Sequence, residues 1–222
     1  MGKKRKNSNY KNAPKPSVIE KKESRKAGFF GLILAIIGIA ICITVAVAMH
    51  KSDKTVFVEM QVKDYGTVVL KLNGEAAPET VDNFVTLVKE GFYNGLTFHR
   101  VVENFMIQGG CPKGNGTGNA GHTIYGEFAA NKFDNPIKHK RGVISMARGN
   151  EYNSASCQFF ICNADYPSLD GLYAAFGEVV EGMEVIDAIT SGTVGFATGG
   201  YILDKDKQAV IEYIKVLEDY TE

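Results

Sequence analysis

The sequence predicts a mainly β fold: a closed eight-stranded antiparallel barrel capped by two α-helices and preceded by one transmembrane helix. Three observations predict it. Eight short runs rich in β-branched and aromatic residues recur through residues 55–222, separated by Gly, Pro, Asn and Asp. Only two segments of that region, one early and one late, carry a helical repeat. Residues 27–49 contain no charged side chain.

The elements follow in chain order. Residues 1–26 are basic, polar and poor in large apolar groups, so they cannot bury enough surface to offset the entropy of ordering. They read as a disordered, solvated tail. Ala27–Met49 is 23 residues long, enough for a helix to cross about 30 Å of hydrocarbon. Lys and Arg crowd its N-terminal side, so the tail is expected in the cytoplasm and residues beyond 50 on the extracytoplasmic side. Ala46-Val47-Ala48 has the small-residue pattern of a cleavage site, which makes removal after Ala48 the alternative. The apolar run exceeds a usual signal core of about 7–15 residues, which favours an uncleaved signal-anchor. Cys42 follows the bulky Ile41 and does not read as a lipid-modified cysteine. Residues 50–54 form a short linker.

From Thr55 the pattern becomes globular. Residues 56–62 and 67–72 read as strands joined by a turn at Asp64-Tyr65-Gly66. Pro78 and Glu79 open a helix whose apolar face is Val81, Phe84, Val85 and Val88, and Gly91 ends it. Strands are expected at 97–102, 105–109, 142–147, 158–162 and 173–179. A second helix runs over 182–189, with Met183, Ile186 and Ile189 on one side. A last strand covers 211–217.

Charge narrows the partners. Residues 52–222 hold 14 basic and 23 acidic side chains, a net of −9, against zero for the whole chain. Such a domain repels a phosphate backbone, so nucleic acid is not an expected partner. Gly116-Thr117-Gly118-Asn119-Ala120-Gly121 matches GxGxxG but lacks the flanking strand and helix that dinucleotide binding needs, and residues 111–122 read as a flexible surface loop. The histidines (His50, His99, His122, His139) and cysteines (Cys42, Cys111, Cys157, Cys162) show no metal-ligand or redox spacing. His99 reads as a hydrogen-bonded core histidine. The three cysteines beyond the apolar segment read as small buried hydrophobes.

Arg100 is the anomaly, set among Phe98, Val101 and Val102. In a regular strand Phe98, Arg100 and Val102 share a face. A charge there either reaches solvent along a packed stem or is held by acceptors. Met106 and Gln108 also share a face, and Gln158 and Phe160 repeat the combination on another strand. One Arg, two Gln and large apolar groups suit a site that holds an apolar ring beside a polar amide, without a general base.

Five segments carry a resemblance. They are Phe98-His99-Arg100-Val101-Val102, Phe105-Met106-Ile107-Gln108-Gly109-Gly110, Gly142-Val143-Ile144-Ser145-Met146-Ala147, Ser156-Cys157-Gln158-Phe159-Phe160-Ile161, and Leu169-Asp170-Gly171 with Phe176-Gly177. In order and spacing the chain resembles the cyclophilin family of peptidyl-prolyl cis-trans isomerases over about 165 residues, Thr55 to Leu217. The short loops, and Ala147-Arg148 where many eukaryotic members have Ala-Asn, resemble the bacterial branch. The resemblance implies that Arg100 is the catalytic cation, with Phe105 and Gln108 beside it. It implies that Phe105, Met106, Phe160 and Leu169 receive the proline ring, that Gln108 and Gln158 hydrogen-bond the peptide, and that Ala147, Arg148 and Tyr173 border the groove. Neither cofactor nor metal is implied. Ser168 stands where many members carry Trp, implying at most weak cyclosporin binding, and Tyr173 stands where many carry His.

The expected activity is therefore acceleration of X-Pro bond rotation in folding, exported proteins, by a membrane-anchored monomer. The alternative is a non-catalytic module or holdase that grips proline-containing segments. Expected partners are proline-containing peptides, unfolded proteins, and the lipid bilayer through residues 27–49.

Overall fold

The computed structural model describes residues 55–192, 199–218 and 220. The predicted tail, membrane helix, cleavage site and linker lie outside the described residues. Among those described, no helix is long and apolar enough to cross a membrane.

The eight expected strands form: β1 (Thr55–Val62), β2 (Gly66–Asn73), β3 (Thr97–Val102), β4 (Met106–Gly109), β5 (Val143–Met146), β6 (Phe159–Cys162), β7 (Ala175–Glu181) and β8 (Ala209–Leu217). They close an antiparallel barrel in the order β1-β2-β7-β5-β6-β4-β3-β8, with β8 paired back to β1. The β1–β2 turn falls at Asp64-Tyr65-Gly66, with Asp64 at φ 64° and Gly66 at φ 125°. Strand β7 starts at Ala175, so Tyr173 belongs to the loop before it, and β8 starts two residues earlier than expected.

Side-chain parity gives the barrel two faces. Val58, Met60, Val62, Leu70, Ile107, Phe159 and Ile161 point inward and join one core, while Met106, Phe160 and Cys162 form a separate apolar cluster. The interior is filled by side chains, so a ligand site belongs on the outside of the wall. Helix α1 (Pro78–Lys89) buries Val81, Phe84, Leu87 and Val88. The Phe84 ring lies 5.6 Å from Phe159, 5.0 Å from Tyr93 and 5.2 Å from Phe176, so α1 shares one aromatic core with the barrel. Helix α2 (Met183–Gly192) buries Val185, Ile186 and Ile189. Arg141 donates two bonds to Asp187 of α2, at 2.8 and 2.6 Å.

The first turn of α1 has no local cap, because Ala77 at the N-cap offers no side-chain acceptor. Glu127, only 2% exposed, accepts from the backbone N–H of Glu79 at 3.0 Å and of Thr80 at 2.8 Å. A distant carboxylate thus meets the free donors at the positive end of the helix.

One expectation about β3 is corrected. Phe98, Arg100 and Val102 do not share a face. The β3–β4 register shifts between Phe98, opposite Gly109, and Arg100, opposite Gln108. This bulge sends Phe98 into the barrel core and leaves Arg100 and Val102 outside, with His99 fully buried between them. Cys111, Cys157 and Cys162 are free and buried, as expected. Burial pushes the thiols of Cys157 and Cys162 up to about 11 and about 12.

Candidate active site

The outer face of β3, β4 and β6, with the loops around it, encloses a cavity of about 510 Å³. All ten side chains singled out in the sequence line it: Arg100, Phe105, Met106, Gln108, Ala147, Arg148, Gln158, Phe160, Leu169 and Tyr173. Its floor is the cluster of Met106, Phe160 and Cys162, with Phe105, Ala147, Leu169 and Tyr173 packed against it. Parity explains the floor, since Met106 and Gln108 alternate with inward Ile107, and Phe160 lies between inward Phe159 and Ile161. Tyr166 leans on Phe105 at 4.3 Å between centroids. Beneath Phe160 lies the parallel ring of His139, 6.0 Å away. His139 is anchored through Nδ1 to Asp170 at 3.1 Å and through Nε2 to Ser145 at 3.0 Å. Its burial lowers its affinity for a proton, and Asp170 partly offsets that.

Arg100 reaches this floor from β3. Its Nε donates to the Gly199 carbonyl at 2.8 Å, and Nη1 donates to Gln108 Oε1 at 3.2 Å and lies 3.9 Å from Met106 Sδ. The rings of Phe105 and Tyr201 lie 5.9 and 5.7 Å from the guanidinium carbon. The bonding continues in one direction. Gln108 Nε2 donates to Gln158 Oε1 at 3.0 Å, and Gln158 Nε2 donates to the carbonyls of Gly116 and Gly118 at 2.9 and 2.8 Å. Of the two readings of Arg100, neutral acceptors holding the charge is the one that stands.

Arg148 lies on the cavity wall nearest the β7 loop. Nε and Nη2 donate to the Leu172 carbonyl at 3.1 and 2.9 Å, and Nη1 to Gly149 at 3.0 Å and Asn150 at 3.4 Å. Three rings surround it: Tyr173 at 4.7 Å, and Phe128 and Tyr152 at 5.2 Å each. Tyr173 also meets Phe160 edge-on at 5.9 Å. Arg148, read in the sequence as a bacterial-branch feature, and Tyr173, read there as a departure, are thus neighbours. Ser168 is exposed, in the short 3₁₀ turn Pro167–Leu169.

Several lining residues went unpredicted: Gly116, Gly118, Asn119, Gly149, Ser154, Ser156 and Tyr201. The loop 111–122 is a surface loop, but it is tied down rather than loose. Gln158 holds two of its carbonyls, Ser156 Oγ accepts from Ala120 N–H at 3.0 Å, and Cys111 Sγ accepts from Gly118 N–H at 3.3 Å. Its glycines serve close packing, since a Cβ on Gly116 would meet the Tyr201 ring at 3.1 Å. The GxGxxG match was the available signal, and it marked backbone approach rather than a nucleotide. Tyr201 had no local signal. It bridges to Arg100 across the sheet, and Val101 N–H donates to the Gly200 carbonyl beside it.

His99 also needs correction. It is buried, yet among the described residues neither ring nitrogen has a partner at hydrogen-bond geometry. Burial, aided by the Arg100 charge, lowers its pKa to about 4, with Thr97 and Gln158 nearby opposing the shift. Among the described residues, no group of His, Cys, Asp and Glu is gathered to hold a metal ion.

Comparison with known proteins agrees with this geometry. The family model described as cyclophilin type peptidyl-prolyl cis-trans isomerase matches residues 57–212. A peptidyl-prolyl cis-trans isomerase of Helicobacter pylori is 51% identical over 131 residues, covering 58% of this chain and 77% of that protein. Peptidyl-prolyl cis-trans isomerase B of Bacillus subtilis is 44% identical over 132 residues, covering 60% and 89%. Among solved structures, a Cryptosporidium parvum cyclophilin type isomerase, crystallised in the presence of the dipeptide Ala-Pro, superposes with a TM-score of 0.64 at 27% identity. That match covers 73% of this chain and 99% of the other.

Proposed function

The chain belongs to the cyclophilin-type peptidyl-prolyl cis-trans isomerase family and is a peptidyl-prolyl isomerase; on that premise we propose that Arg100 supplies the catalytic cation and that the Met106–Phe160 floor receives the proline ring. One observation carries this reading: a guanidinium held, among the described residues, by neutral acceptors stands beside an apolar, ring-sized floor.

Amide resonance sets the barrier to rotation at about 18–20 kcal/mol. A catalyst must favour the twisted amide over both planar forms. When the amide twists, the proline nitrogen becomes pyramidal and regains a lone pair. A guanidinium aimed at that nitrogen stabilises it and keeps its charge at any working pH. Gly199 and Gln108 fix Nε and Nη1, and among the described residues Nη2 has no protein acceptor, which leaves its donors for the substrate. Phe105, Met106, Phe160 and Leu169 hold the ring while the preceding carbonyl turns. Gln108 and Gln158 contribute by aligning Arg100 and bonding peptide amides, with Ala147, Arg148 and Tyr173 along the rim. The mechanism asks for no general base, metal or cofactor. Exposed Ser168 supplies no large ring at its own position, consistent with weak cyclosporin binding at most.

The test is a proline-limited refolding assay with the purified full-length chain. The wild type accelerates the slow phase, and Arg100→Ala loses most of that acceleration. Full activity in Arg100→Ala would overturn the assignment of the cation. Binding without acceleration by the wild type would favour the holdase reading.

The protein is further proposed to be a membrane-anchored monomer acting on exported clients, with residues 1–26 cytoplasmic, 27–49 in the bilayer, 50–54 a linker, and 55–222 extracytoplasmic. The uncharged 23-residue stretch and its basic flank support this. Mass measurement of the membrane-extracted protein tests it. The intact chain gives 24.2 kDa, whereas loss of the first 48 residues means cleavage and release.

A further inference from the structure

The groove differs in charge from the domain that carries it. Residues 52–222 have a net charge of −9, yet among the described residues two arginines and no Asp or Glu line the cavity. Arg141, the only other arginine among the described residues, is neutralised by its paired bonds to Asp187. Arg100 and Arg148 have no carboxylate at ion-pair distance among the described residues. Among the described residues, every acceptor of Arg148 is a backbone carbonyl, from Gly149, Asn150 or Leu172. Carbonyls and ring faces orient a guanidinium without cancelling its charge. A recessed, low-dielectric wall then focuses that charge into the groove. Tyr173 fixes the distance, because one ring packs on both Phe160 of the floor and the Arg148 guanidinium.

We infer that Arg148 makes this enzyme select proline segments that carry an acidic side chain close to the proline, with Tyr173, Phe128 and Tyr152 holding the guanidinium in place. The inference rests on the isomerase reading above and names its substrate class. A client residue lying along Arg148, Gly149 and Ser154 meets an oriented cation with no competing carboxylate. Glu or Asp there gains an ion pair that Gln lacks, and Lys is repelled.

The test assays the full-length protein on peptides in which each of the two residues on either side of the proline is in turn Glu, Gln or Lys. Turnover of the Gln peptides reports isomerisation itself, so failure of the isomerase reading shows separately. At one or more positions kcat/KM is expected to fall in the order Glu, Gln, Lys, with Glu about tenfold above Lys at low salt. The ratio shrinks to about twofold near 0.5 M salt. Arg148→Gln brings the ratio close to one, Arg148→Lys keeps part of it, and Arg141→Gln, outside the groove, leaves it unchanged. The inference is overturned if no position favours Glu over Gln, if the preference is insensitive to salt, or if it survives Arg148→Gln. The first two outcomes need only the wild-type protein and stand even where a variant does not fold.

Discussion

Arg100, Gln108 and Gln158 are oriented through one another. Gln108 is the pivot, since it accepts from Arg100 and donates to Gln158. Gln108→Leu keeps an apolar neighbour for Met106 but removes both bonds. A hydrogen bond to a charged group contributes about 1.5–3 kcal/mol, so kcat/KM is expected to fall by roughly one to two orders of magnitude, with unfolding little changed. His99 makes a different prediction. Its pKa is about 4 in the fold, below the ordinary histidine value near 6.5. Between those values the unfolded chain binds a proton that the native state refuses. The contribution of His99 is therefore complete above pH 6.5 and is lost as the pH falls towards 4. The loss amounts to about 3 kcal/mol, and urea unfolding at pH 7 and pH 4 is expected to reveal it, with the acid sensitivity reduced in His99→Leu. Arg100, Gln108 and Gln158 were legible because charge and amides in apolar runs require an explanation. Tyr201 was not, because its value lies in a contact to a strand about 100 residues away, as with Gly199, which is 99 positions from Arg100.

At the scale of elements, the strands were legible from their period of two, and the helices from their apolar faces and from Pro78 and Gly91. What period alone misses is a break in period. The β3 bulge is one extra residue, and it decides that Phe98 fills the barrel while Arg100 faces the groove. Nothing in the composition of 97–102 marks it, because the shift is fixed by pairing with β4. Helix α1 shows a second limit. Its start was legible from Pro78, but its cap comes from Glu127, nearly 50 residues on. Glu127→Ala leaves one buried and one part-buried backbone donor without their acceptor. It is expected to lower the unfolding free energy by about 2–4 kcal/mol in urea titration, while Glu127→Gln keeps one acceptor oxygen and costs less.

At the scale of the molecule, barrel closure depends on its two ends meeting. Strand β8 pairs with β1 and β3, so the last strand of the domain completes the wall begun by the first. Truncation before Ala209 removes β8 and exposes one side of β1 and one of β3. Such a chain is expected to be recovered as aggregate, read by size-exclusion chromatography beside the full-length protein. The number of strands was legible in the sequence, whereas their order around the wall was not, since it arises from pairings between distant segments. The intact barrel has a consequence for the unfolded clients proposed above. Unfolded chains are rich in unpaired backbone donors and acceptors, and they add readily to any open strand they meet. A wall with every strand paired on both sides offers them no place to add. On that proposal the enzyme can sit among sticky, half-made chains and grip them by side chains in its groove, without seeding the fibrils that an open sheet would invite.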